Sequence, residues 1–310
     1  MVYKKALEEA HFRISPYIHK TQVLQSSLIN AIASCEIFFK CENFQKMGAF
    51  KMRGACNAIL QLSEEERANG VITHSSGNMA QAVSLAARSL GVKAYIVMPS
   101  NAPEVKKAAV RDYGGEITEC IPTIEEREKT TEAIIAKTGA SFIHPSNDLN
   151  VILGQATAAK ELLTDYTEID TVLAPVGGGG LLAGTALACL HRGVSCMGGE
   201  PMEADDAYRS LQSGKIELNT TSNTIADGLR THLGDINFPI IQEHVEKIIR
   251  VEENEIINAM RLIWERMKII IEPSCAVPFA AVLREPDTFK GKKVGIIITG
   301  GNVDLSKLPF

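Results

Sequence analysis

Short runs of consecutive apolar, often β-branched residues alternate along the chain with longer alanine- and charge-rich stretches whose apolar positions recur at helical spacing. The runs Val71–Thr73, Ala94–Met98, Ile117–Cys120, Thr171–Val176 and Val294–Thr299 predict strands. The stretches Met79–Leu90, Pro103–Tyr113, Ile124–Lys137 and Asn254–Met267 predict helices. Strands that are apolar at successive positions and separated by helices predict an α/β fold, with a parallel sheet covered on both faces. The β-α-β-α-β-α series from Val71 to Ile143 is self-contained. It suggests a small domain of residues 70–146 inserted into a larger discontinuous one of residues 1–69 and 147–310.

Composition narrows the function classes. With 45% apolar and 22% charged residues, the 310-residue chain is ordinary for a globular protein and long enough for two domains. A net charge of −5, 5% aromatic residues and one Trp offer neither a basic surface nor a stacking platform, so no nucleic-acid partner is expected. No apolar stretch approaches membrane-span length, and the first ten residues lack a continuous apolar segment. A cytoplasmic protein without a membrane partner is expected. Seven cysteines without a C-x-x-C pair read as reduced thiols, and the seven histidines form no H-x-x-x-H pair.

The chemistry concentrates in four places. Leu173-Ala-Pro-Val runs into four glycines, Gly177, Gly178, Gly179 and Gly180, and a helix begins at once. Four bare peptide units and a helix start can turn their N–H groups toward one anion, so a phosphorylated ligand is expected. The alternatives are a tight strand–helix turn or a loose dinucleotide fingerprint, Gly178-x-Gly180-x-x-Ala183 with Glu200 further on. Lys51 follows Phe50 at the start of an alanine-rich helix. The helix dipole and desolvation both lower a lysine pKa there, although a solvated surface lysine is the commoner case. Ser75-Ser76-Gly77-Asn78 ends a strand and opens a helix, which suits either an N-cap or polar groups aimed into a crevice. Four acids between Glu200 and Asp206 suit a cation-binding or simply a solvated loop.

In this order, Phe50-Lys51-x-Arg53-Gly54-Ala55, Ser75–Asn78, Gly177–Gly180 and Thr299-Gly300-Gly301-Asn302 resemble the serine/threonine dehydratase family of fold-type II pyridoxal-phosphate enzymes. The resemblance runs over nearly the whole length and is strongest to the serine racemase branch. It implies two open, twisted, mostly parallel sheets with the active site between them, as in the β subunit of tryptophan synthase. Lys51 would bond the aldehyde of pyridoxal 5'-phosphate, and Gly177–Gly180 would hold its phosphate. Phe50 would pack beside the ring, Asn78 would meet its phenolic oxygen, and Thr299 would meet its pyridine nitrogen. The substrate carboxylate would rest on Ser75, Ser76, Gly77 and Asn78, with Arg127 and Ser146 toward the substrate side. Lys51 and Ser76 would act as opposed acid and base. The implied activity is serine racemisation with β-elimination to pyruvate and ammonia. The alternatives are a serine/threonine or threo-3-hydroxyaspartate dehydratase, an aspartate racemase, and a non-catalytic binding protein on the same scaffold. Glu200, Asp206 and the Ala204 carbonyl would hold structural Mg²⁺ or Ca²⁺. Gln81, Tyr113 and Lys268 match a nucleotide (ATP) activator site, and a homodimer is expected. Met79 departs from the histidine usual after Ser-Gly-Asn.

Overall fold

The computed structural model describes residues 2–310, with side-chain environments from Tyr3 onward. Its strands, in chain order, are β1 (Val23–Leu24), β2 (Glu36–Cys41), β3 (Val71–His74), β4 (Ala94–Pro99), β5 (Gly115–Cys120), β6 (Ser141–Phe142), β7 (Thr171–Pro175), β8 (Ser195–Pro201), β9 (Lys247–Val251) and β10 (Lys293–Ile298). They form a six-stranded sheet in the order β1-β2-β10-β7-β8-β9 and a four-stranded sheet in the order β5-β4-β3-β6. All neighbours are parallel except the β1–β2 edge pair. The α/β architecture expected from the strand and helix runs is the one observed. All five strands and four helices read from the pattern are present, with ends shifted by up to two residues.

Strand periodicity explains why the pattern was continuous rather than alternating. Successive side chains point to opposite faces. Phe38, Val172, Ala174 and Ile297 enter one apolar cluster with the helices Leu149–Asp165 and Gly180–Leu190. Their neighbours Ile37, Phe39, Leu173, Ile296 and Ile298 enter another with the helices Glu253–Met267 and Pro273–Arg284. Both faces are covered, so apolar residues occupy successive positions along these strands, with Lys40 of β2 as a buried, ion-paired exception. The four-stranded sheet is sandwiched likewise, with Val71, Ile96 and Met98 on one side and Ile72 and Val97 on the other. Met79 is buried in the first of these clusters, beside Met52 and Ala55 of the Lys51–Gln61 helix. An apolar side chain fits there without leaving a polar group unpaired. All seven cysteines are free and buried. Among the described residues, no helix is long and apolar enough to cross a membrane.

The Lys51–Gln61 helix presses closely on the Leu149–Asp165 helix. A Cβ on Gly154 would lie 2.5 Å from the Arg53 carbonyl and 2.8 Å from the Gly54 Cα, so only glycine allows this approach. The contact brings fully buried Arg53 between two carboxylates. Arg53 donates to both oxygens of Glu42 at 2.7 and 2.8 Å and to both oxygens of Glu161 at 2.8 Å. Lys40 Nζ, also buried, reaches Glu161 at 2.6 Å and balances the second carboxylate.

Candidate active site

The carboxyl ends of β7, β10 and β3 lead into the three loops singled out from the sequence, which is where parallel sheets gather ligands. After β7, Gly177–Gly180 turn into the Gly180–Leu190 helix. Packing behind the loop leaves no room for side chains. A Cβ would lie 2.7 Å from Leu229 Cα at Gly177, 2.6 Å from Asn237 Oδ1 at Gly179 and 2.7 Å from the Ser146 carbonyl at Gly180, and at Gly178 it would collide with Ser146 Oγ. Gly179 also has a φ of +79°, a conformation that glycine adopts without strain. Among the described residues, no backbone N–H from Gly177 to Leu182 donates to a protein acceptor. A row of unpaired donors at a helix N-terminus fits a phosphate. These four glycines do not divide their labour as the dinucleotide fingerprint requires.

Lys51 starts its helix half-buried, with Nζ 5.0 Å from the centre of the Phe50 ring and donating to the Pro145 carbonyl at 2.6 Å. Burial pushes its amine down to about 8, against the opposing charge of Glu272. It is therefore not the solvated surface lysine that its local sequence also allowed. The carbonyl that receives it belongs to a turn shaped by His144, whose Nδ1 accepts from the N–H groups of Ser146 and Asn147 at 3.1 and 2.7 Å. Burial, then the nearby His74 and Lys51, push His144 down to about 4, so it is the neutral acceptor this turn needs. The following residue, Ser146, lies against Gly178 and Gly180, joining the lysine to the glycine loop.

The β10 exit is stitched to the same place. Phe50 N–H donates to the Thr299 carbonyl at 2.9 Å, and Gly301 N–H donates to the Gly48 carbonyl at 2.9 Å. Thr299 is buried, and its hydroxyl lies 3.1 Å from Cys275 Sγ. At the β3 exit, Gly77 N–H donates to Ser75 Oγ at 3.2 Å, Ser76 is half-buried, and a Cβ on Gly77 would meet only open space. Asn78 links the two sheets, donating to both Glu272 oxygens at 3.0 Å and accepting from Asn302 Nδ2 at 2.9 Å. Its amide protons are thus directed at Glu272. Burial pushes the Glu272 carboxyl up to about 7, with Asn78 opposing and Asp227 adding to the rise.

Arg127 is half-buried, and its Nε has no partner among the described residues. After burial, Arg127 is the largest cause of the lowered His74 pKa, which puts its charge beside the residue preceding Ser75. Glu272, the Pro145 carbonyl and Thr231 were not found from sequence. The Thr231 hydroxyl joins Ser146 at the position of a Gly178 Cβ. No local motif marks these three groups, because each arrives from a distant segment.

The acids between Glu200 and Asp206 divide into two kinds. Asp205 is paired with Arg209 and Arg250 at 2.7 and 2.8 Å, and Glu203 is exposed. Glu200 and Asp206 are fully buried and, among the described residues, neither forms a salt bridge with a cation. Glu200 accepts from the N–H groups of Ala207 and Tyr208 at 2.9 and 2.8 Å, and Asp206 from Asn219 Nδ2 at 2.8 Å and Leu233 N–H at 3.1 Å. Burial and then Asp206 push Glu200 well above the carboxylate range, and burial pushes Asp206 up to about 6. Two buried carboxylates without a counter-charge are donor chemistry that fits a hard divalent cation. Among the described residues, no cluster of three His, Cys, Asp or Glu side chains forms a metal site, so other ligands would have to come from carbonyls such as that of Ala204, or from water. Gln81 is buried on the Asn78–Ser89 helix, and Tyr113 packs against the same apolar cluster. Lys268 is exposed at the end of the Glu253–Met267 helix. No hydrogen bond joins these three among the described residues.

Comparison with known proteins extends this geometry. Residues 14–300 match the profile of the pyridoxal-phosphate dependent enzymes. A serine racemase of Dictyostelium discoideum is 52% identical over 98% of this chain and 96% of its own length. Its crystal structure superposes with a TM-score of 0.93 over 97% of this chain and 98% of that one. A beta-hydroxyaspartate dehydratase of Paracoccus denitrificans is 48% identical over 97% of this chain and 96% of its own. The crystal structure of a pyridoxal 5'-phosphate-dependent aspartate racemase is 36% identical, with a TM-score of 0.92 over 99% of this chain and 97% of that one.

Proposed function

From the chain's membership of the pyridoxal-phosphate dependent enzymes, we propose that it racemises serine and also eliminates water from it, giving pyruvate and ammonia. The carrying observation is the Lys51 amine, which burial brings down to about 8 next to the unpaired N–H row of the glycine loop. Pyridoxal 5'-phosphate held there would supply the electron withdrawal that acidifies the substrate Cα–H. Gly177–Gly180 would hold its phosphate, Phe50 would lie beside its ring, and Thr299 would meet its nitrogen. Ser75–Asn78 orient the substrate carboxylate through N–H groups and the helix start. Lys51, through its neutral amine, would move the Cα proton on one face. Inversion requires a second protic group on the other face, and Ser76 is the residue we assign to it. Residues 70–146 would act as a small domain that closes over the cleft and excludes water, a role supported by the cross-cleft Lys106–Asp227 pair at 2.8 Å.

A hydroxyaspartate dehydratase is the second reading. It is favoured by the unpartnered Arg127 Nε, which suits a second substrate carboxylate. Mg²⁺ or Ca²⁺ at Glu200, Asp206 and the Ala204 carbonyl is part of the proposal, supported by the buried charge there. ATP at Gln81, Tyr113 and Lys268 and a homodimer rest on the family resemblance, and a cytoplasmic location rests on the cysteine usage and the lack of a long apolar segment in the sequence. Incubation with L-serine, D-serine, L-aspartate, L-threonine and threo-3-hydroxyaspartate, read by chiral chromatography and keto-acid detection, tests the reading. Interconversion of the serine enantiomers supports it, whereas keto acid formed only from hydroxyaspartate selects the second.

A further inference from the structure

Cys275 sits in the first turn of the Pro273–Arg284 helix, fully buried behind Thr299. Its Sγ lies 3.1 Å from Thr299 Oγ1 and 2.9 Å from the Gly300 carbonyl, and it accepts from Gly300 N–H at 3.0 Å. Burial, and after it the charge of Glu272, push the thiol far above its ordinary value, so the sulfur keeps its proton. The group therefore has one proton to give and two oxygens within reach. The Gly300 carbonyl already accepts from Glu272 N–H at 3.0 Å. The Thr299 hydroxyl has no other protein partner among the described residues.

We propose that Cys275 is a positioning residue for the cofactor ring, its thiol donating to Thr299 Oγ1 so that the hydroxyl proton is turned away from sulfur and toward the ring nitrogen. Two arrangements of these protons are possible, and acceptor strength separates them. If the thiol donates to the Gly300 carbonyl, the hydroxyl can turn back on a sulfur that is a weak acceptor already holding one N–H. If the thiol donates to the hydroxyl oxygen, the hydroxyl donates to a ring nitrogen, a far better acceptor. The second arrangement replaces a weak bond with a strong one. It also leaves the nitrogen unprotonated, which limits how strongly the ring draws electrons from the substrate. The inference rests on Thr299 being the ring-nitrogen partner.

The test is a double-mutant cycle read by titrating apoenzyme with pyridoxal 5'-phosphate, following the absorbance of the bound cofactor, with thermal melting of each apoenzyme alongside. Cys275→Ala and the bulkier Cys275→Val both lack the donor, Cys275→Ser keeps one, and Thr299→Val removes the hydroxyl. Loss of one hydrogen bond predicts cofactor affinity roughly 2- to 12-fold weaker in the Ala and Val variants. Near-native affinity is expected for the Ser variant, with no further loss when Cys275→Ala or Cys275→Val is added to Thr299→Val. A purely packing role would weaken binding equally in both backgrounds and would not be rescued by serine; either result, or unchanged affinity in both donor-less variants, overturns the proposal. If Thr299→Val itself binds the cofactor normally, the assignment of Thr299 fails instead.

Discussion

Replacing Arg53 with methionine isolates the electrostatics that anchor the Lys51 helix. The native cluster is neutral, with buried Arg53 paired to Glu42 and Glu161 and buried Lys40 paired to Glu161, at 2.6–2.8 Å. Methionine fills much of the space but leaves two carboxylates with only one cation. Breaking a buried pair from one side costs about 3–5 kcal/mol, because the surviving charge is left desolvated. That is a large share of a typical folding free energy of about 5–15 kcal/mol. The loss should depend on pH, because the unbalanced cluster lowers its cost by taking up a proton. From about pH 4.5, where unfolded carboxylates ionise, up to the pH at which the cluster gives that proton up, the native variant binds more protons than its unfolded chain. Its stability therefore falls as pH rises, by up to about 1.4 kcal/mol per unit. Relative to the parent protein, the deficit at pH 7.5 should shrink by as much as about 2.7 kcal/mol at pH 5.5. Urea unfolding of the apoenzyme, followed by the fluorescence of Trp264, measures both values. Adding Glu42→Gln, which removes the surplus charge, should recover part of the loss. A deficit below about 1 kcal/mol at pH 7.5, or one unchanged at pH 5.5, would refute the reasoning.

Ser76→Ala should abolish interconversion of the serine enantiomers while one of them still yields pyruvate, as chiral chromatography and keto-acid assay would record; undiminished racemisation removes Ser76 from its assigned role. Because only a neutral amine attacks an aldehyde, cofactor association with the apoenzyme should accelerate as pH rises through about 8, the value burial gives Lys51. Lys51→Ala should show no visible band at any pH. The same lowered pKa means that the unfolded chain binds more protons between about 8 and the ordinary lysine value, so this group raises stability as pH increases across that window. Chelation should lower the melting temperature and added Mg²⁺ or Ca²⁺ restore it; in Glu200→Gln with Asp206→Asn the response should disappear, since the buried charges that need a cation are gone.

Much of the site could be read directly, because its demands are local. The glycine run announces a backbone that must stay bare, and the structure accounts for each member through a contact that a Cβ would violate. The continuous apolar strands announce a sheet covered on both faces. β8, just before Glu200, carries only a weak signal because Gly198 and Gly199 interrupt its apolar character; a Cβ on Gly199 would stand 3.0 Å from Pro278, a residue 79 positions away. β1 and β6 are too short to carry a pattern at all.

The state of the charged groups was decided only by folding. Around Lys51, the sequence supplied a lysine after an aromatic ring at a helix start, and an exposed or a desolvated amine were both open. The Pro145 carbonyl, from 94 residues away, and the buried Glu272 set its environment. The acidic loop likewise held four similar carboxylates by sequence. Arg250 neutralises one, and burial strands two others without a cation. Backbone geometry and apolar periodicity are written in neighbouring residues, so sequence determined the fold class and the position of the bare glycine loop. Desolvation and charge pairing depend on distances across the tertiary structure, so the structure alone decided which amine is desolvated and which carboxylates lack a partner.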